Sequence, residues 1–143
     1  MPDLALPGSL AAFEGRWRLD RVIRQADGPE GRLKGHATFT RGGPGTLVCD
    51  EEGEMQLGTA PPLRATRRYL WRSGGGGIEV SFDDNRPFHG FTLGVAAPTA
   101  IHICPPDRYE VAYDFADWPI WRATWTVEGP RKAYVMTSRY ARD

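Results

Sequence analysis

Short runs in which apolar and polar residues alternate, separated by glycine, proline, asparagine and aspartate, fill this chain from Gly15 to Ala141. A period of two belongs to a strand with one buried face, so these runs predict β-structure. They read GRWRLDRVIRQ, RLKGHATFT, GTLVCDEE, GEMQLGT, LRATRRYLWR, GIEVSFDD, RPFHGFTL, AIHIC, RYEVAYDF, WRATWTV and KAYVMTSRYA, about ten strands in all. Only Pro7 to Phe13 offers a helical turn, with Ser9 as its cap. Asp84-Asn85, Gly129-Pro130 and Gly74 to Gly77 read as tight hairpins, which makes the neighbouring strands antiparallel. With no helix to cover a sheet, such strands either pack as two layers or curl into a barrel, and closure removes the exposed edges. The expectation is an all-β, up-and-down antiparallel barrel, with a sandwich as its rival.

The 143 residues, 41% of them hydrophobic, suit one domain spanning 1–143. The opening MPDLALPGSLAAFEG carries no basic leader and no long apolar run, and nothing downstream approaches a membrane span. A cytoplasmic protein that does not enter membranes is expected. Cys49 and Cys104 sit on separate apolar runs, so both are expected reduced and partly buried. Net charge is zero, with 18 basic and 18 acidic residues. Nucleic-acid partners normally leave a basic stripe. The densest arginine run, LRATRRYLWR, divides Arg64, Arg67, Arg68 and Arg72 between two strand faces, so no nucleic-acid partner is expected.

At the start of the first strand stands FEGRW, a glycine two positions before a tryptophan. Glycine allows a sharp bend into the strand, and an indole is large enough to plug a barrel end. This pattern resembles the opening of the calycin barrels, the lipocalin, fatty-acid-binding and nitrobindin-like proteins. The resemblance implies that Gly15 and Trp17 close one end beneath an arginine of the last strand, Arg139 or, by preference, Arg142. FEGRW, RRYLW, FDDNRPFH, HICPPDRY and GPRKAYVMTSRY together also resemble a family of small bacterial proteins known as a domain of unknown function. Where that family's turn carries glycine, this chain has Asn85, which also tolerates positive φ. No activity comes with this likeness.

Alternation sorts side chains by face. Arg21 shares a row with Trp17, Leu19 and Ile23, and Arg67 with Ala65, Tyr69 and Trp71. His89 accompanies Phe91 and Leu93, and Asp107 and Tyr109 lead into Val111, Tyr113 and Phe115. In the last strand the row Lys132, Tyr134, Met136 and Tyr140 is taken as inward for its bulk. A buried guanidinium keeps its proton and needs a negative partner. Internal carboxylates such as Glu51 and Asp107 could supply it, or the head of an anionic ligand could. Arg67 and Tyr69 form a fork and hydroxyl suited to a carboxylate, similar to the Arg-x-Tyr pair of fatty-acid-binding proteins, which lies on a different strand.

His36 shares a row with Lys34, Thr38 and Thr40 and is expected at the surface. His89 and His102 each sit beside apolar residues, as core histidines or ligand contacts. His102, Cys104 and Asp107 lack the four-ligand spacing of a structural zinc site, so no metal is expected. Pro105-Pro106-Asp107 reads as a rigid turn with Asp107 capping its own backbone. No nucleophile elbow, phosphate loop or zinc helix is present, and the sequence specifies no cofactor.

The reading is a barrel that binds a small, partly apolar, anionic molecule through Arg21, Arg67, Tyr69, His89, His102, Asp107, Tyr109, Lys132 and Tyr134. One alternative is an isomerase or hydrolase pairing His89 or His102 with Asp107 for proton transfer, with tyrosines at an oxyanion. The other is a protein-interaction module with a filled interior. Oligomeric state stays open, a homodimer included.

Overall fold

A computed structural model describes residues 6–143. A 3-10 turn, Leu10–Phe13, precedes ten strands: β1 Gly15–Gln25, β2 Gly31–Arg41, β3 Thr46–Leu57, β4 Leu63–Gly74, β5 Gly77–Phe82, β6 Pro87–Thr92, β7 Thr99–Cys104, β8 Asp107–Asp114, β9 Trp121–Glu128 and β10 Ala133–Arg142. They form one antiparallel sheet in the order β6-β5-β4-β3-β2-β1-β10-β9-β8-β7. β10 pairs with β1, Trp17 opposite Arg142, and so joins the two halves of the meander. β6 and β7 run close together without a hydrogen-bonded ladder. The barrel is therefore nearly closed, with one seam. Among the described residues no helix is long and apolar enough to cross a membrane.

The runs GTLVCDEE and GEMQLGT, separate in the sequence reading, form the single strand β3. Gly53 between them is no turn but lies opposite Gly35 of β2. A Cβ on Gly53 would come within 2.5 Å of the Lys34 carbonyl oxygen, so the two backbones meet where neither carries a side chain. Asn85 takes the positive φ expected of it, at 73°. Ser9 precedes the 3-10 turn but makes no side-chain cap bond, contrary to expectation.

One end of the barrel is packed solid. Phe13 and Trp17 are fully buried among Phe39, Trp71, Phe115, Trp118 and Trp121. The Trp17 indole donates to the Phe13 carbonyl at 2.9 Å. Arg142, rather than Arg139, lies over the Trp17 ring at 3.7 Å and donates to the carbonyls of Glu14 and Ala12. It thus joins cation–π attraction to capping of the entering chain. Gly15 adopts φ +118°, and a Cβ there would lie 2.8 Å from Arg142 Nη1.

A Gly15→Ala change therefore imposes backbone strain and pushes Arg142 off Trp17. The expected loss is about 2 kcal/mol, read as a lower urea midpoint with an unchanged slope.

Candidate ligand-binding site

Above the packed end the walls leave a cavity of about 80 Å3 open to the centre of a water molecule, within about 670 Å3 of atom-free space that includes the mouth. Its lining joins Arg21, Glu51, Arg67, Tyr69, His89 and Tyr134 to a largely aromatic wall.

Arg21 and Glu51 answer the question of internal charge for one arginine. Arg21 Nη2 donates to Glu51 Oε1 at 3.0 Å and Nε to Ser138 Oγ at 2.7 Å, and Tyr140 donates its hydroxyl to Glu51 Oε2 at 3.2 Å. Both charged groups are buried. Burial works against the Arg21 charge, yet Glu51 with the neighbouring tyrosine hydroxyls outweighs it and holds the pKa above that of free arginine. The pair reaches diagonally across β2, where Leu33 stands opposite Arg21, Ala37 opposite Glu51 and Gly35 between them.

Arg67 is different. It lies directly opposite Glu51 in the β3–β4 ladder, but Glu51 is engaged by Arg21 and Tyr140. Among the described residues no carboxylate stands within ion-pair distance of Arg67, which donates a side-chain hydrogen bond to the Tyr69 hydroxyl at 3.4 Å. β5 pairs with β4 only from Tyr69 onward, so the stretch carrying Arg67 has a free edge. There Arg67 lines both the cavity and an outer cleft with Thr66 and Asp83. Of the acidic neighbours in that cleft, Asp50 is held by Arg68 and Glu52 by Arg64, and Asp83 stands beyond ion-pair distance of Arg67. Burial raises the pKa of Tyr69, and also that of Tyr134.

His89 shares a 2.7 Å hydrogen bond with the Tyr113 hydroxyl. Burial, and secondarily His102, push its pKa down to about 3, so the ring is neutral near pH 7. His89 Nδ1 and the Trp121 indole nitrogen are buried in this wall without a protein partner. The wall thus holds Arg21, Glu51 and Arg67 as its charges, leaving one uncompensated positive charge at Arg67.

Three predicted contacts stand outside the cavity lining. Asp107 pairs with Lys132 at 3.3 Å, and Lys132 donates to the Tyr109 hydroxyl at 2.9 Å. Asp107 therefore neither caps its own backbone nor bonds a histidine, which removes the His–Asp pair behind the enzymatic alternative. His102 packs edge-on against Phe88 and Phe82. Among the described residues no three His, Cys, Asp or Glu side chains gather where a metal ion could sit. Cys49 lines the cavity as a free thiol whose pKa burial raises, whereas Cys104, expected partly buried, is exposed. His36 lies outside the cavity beside Asp143 at 3.3 Å.

Phe88 was not legible from alternation. Val80 pairs with His89 and Ser81 with Pro87, so Phe88 is the extra residue of a β-bulge. Both Phe88 and His89 consequently line the cavity. Tyr140 lies on the cavity wall in the row read as inward, and Trp125 could have been read in the same way, since it follows Trp121 at even spacing.

The chain belongs to the DUF6314 family of unknown function, which it matches over residues 13–142. No curated protein matches it. Its fold is similar to that of an S-type phycobiliprotein lyase from Guillardia theta, with a TM-score of 0.65, 10% identity, and 93% of this chain and 89% of the other covered. It is also similar to the redesigned β-barrel mFAP1 bound to DFHBI, with a TM-score of 0.50, 13% identity, and coverage of 95% and 100%.

Two measurements test the site's energetics. Glu51→Ala leaves Arg21 buried and uncompensated, with an expected cost of about 3–5 kcal/mol in chemical denaturation. His89 is protonated in the unfolded chain below about 6.5 but in the folded protein only below about 3. Its contribution is intact above pH 6.5 and is lost as pH falls toward 3, by at most about 5 kcal/mol. His89→Phe is expected to flatten that part of the stability profile.

Proposed function

We propose that this member of the DUF6314 family binds a small, partly apolar anion inside the barrel, with the negative group of the ligand on Arg67. The observation that carries this reading is the charge imbalance of the wall. Arg21 has Glu51 and a hydroxyl network, whereas Arg67, exposed at the edge of the same cavity, hydrogen-bonds a tyrosine alone. Arginine keeps its proton in any such setting, and its fork suits a carboxylate or phosphate. The aromatic lining supplies the apolar contact, and His89 Nδ1 and the Trp121 indole nitrogen offer further polar contacts. The redesigned β-barrel mFAP1, similar in fold, is bound to the small molecule DFHBI, which supports a ligand-binding reading here. Proton transfer by a histidine–aspartate pair has no comparable support, because Asp107 is held by Lys132.

Native mass spectrometry of untagged protein is expected to show a co-purified small molecule. Titration with 2-naphthoate, a flat aromatic carboxylate, tests the role of Arg67 directly. Arg67→Gln should weaken binding about 10- to 100-fold, the range for a hydrogen bond to a charged group, with little change in thermal stability. Equal affinity in wild type and variant overturns the reading.

A further inference from the structure

Phe88 enters the interior through a bulge placed on the barrel's seam. Its strand, β6, has a ladder with β5 and none with β7. The Phe88 ring lies nearly parallel to Trp125, with centroids 4.8 Å apart and planes at 5°. It also stacks on Phe82 at 4.5 Å and on Tyr69 at 5.9 Å. One flat ring therefore fills an aromatic slot beside the Arg67–Tyr69 pair. The cavity left over, about 80 Å3, falls well short of the roughly 150 Å3 that accommodates benzene.

We infer that Phe88 is a stopper occupying the ring position of the ligand, and that the ligand is a planar aromatic anion whose ring displaces Phe88 and stacks on Trp125. This rests on the reading of the interior as an anion site. Exchange of one aromatic face for another preserves the stacking, whereas a saturated ring forfeits it. Phe88 is only partly buried and sits on a strand paired on one side, so its departure breaks no two-sided ladder. Most wall residues lose affinity when truncated, since they lose contact with the ligand. A stopper has the opposite sign.

The test compares wild type and Phe88→Ala in calorimetric titrations with 2-naphthoate and with its saturated analogue, decahydronaphthalene-2-carboxylate. The variant should bind 2-naphthoate about fivefold tighter or more, and both proteins should prefer the aromatic acid by a similar factor. In wild-type-length protein carrying 4-fluorophenylalanine at position 88, saturating 2-naphthoate should shift the fluorine resonance as that ring leaves Trp125. This second readout does not depend on the alanine variant folding. Unchanged or weaker binding in Phe88→Ala, or an unmoved fluorine signal at saturation, overturns the stopper. Equal affinity for the two acids overturns the aromatic class. If neither acid binds the wild type or Phe88→Ala, the anion site itself falls and the inference with it.

Discussion

The ladder between β1 and β10 ties the two ends of the chain together, and the enclosed interior depends on it. It brings Arg142 over Trp17 and onto the carbonyls of the entering 3-10 turn, so one end is sealed by contacts between the first and last strands. Arg21 meets Ser138 across the same ladder. Closure elsewhere comes from local hairpins, which need only short turns. The β1–β10 pairing is the long-range step that turns a meander into a container.

Enclosure then changes what the charges inside mean. At a protein surface an arginine without a carboxylate is unremarked, because water solvates it at little cost. Inside the barrel, Arg21 is tolerated because Glu51, Ser138 and Tyr140 together satisfy it. Arg67 stands at an opening where β4 has a free edge, partly solvated and partly facing the aromatic cavity. Such a position lets the charge persist in the free protein and still favour an incoming anion. Neutral His89 adds polarity without charge.

Much of the fold was legible from local pattern, because strand alternation and turn chemistry are written within a few residues. FEGRW pointed to the plugged end, and the choice of inward row in β10 placed Tyr134 and Met136 on the cavity wall. Local pattern failed where the backbone departs from period two or where a glycine serves a neighbour rather than a turn. Phe88 is invisible to alternation because a bulge inserts it, and Gly53 was read as a break because its real role is close approach to Gly35. Asp107 was misassigned for another reason: Lys132, its partner, lies far along the chain.

Alternation, punctuation and the absence of a helical period are enough to specify an antiparallel β-structure with arginines on inward rows, since each is a property of short segments. Which arginine keeps a free charge is not such a property. Glu51 faces Arg67 in register yet bonds Arg21 diagonally past Gly35 of β2, a competition settled only when four strands, β1 to β4, are laid side by side. Register and closure, the products of long-range packing, decide that outcome and so decide where the interior is left positive.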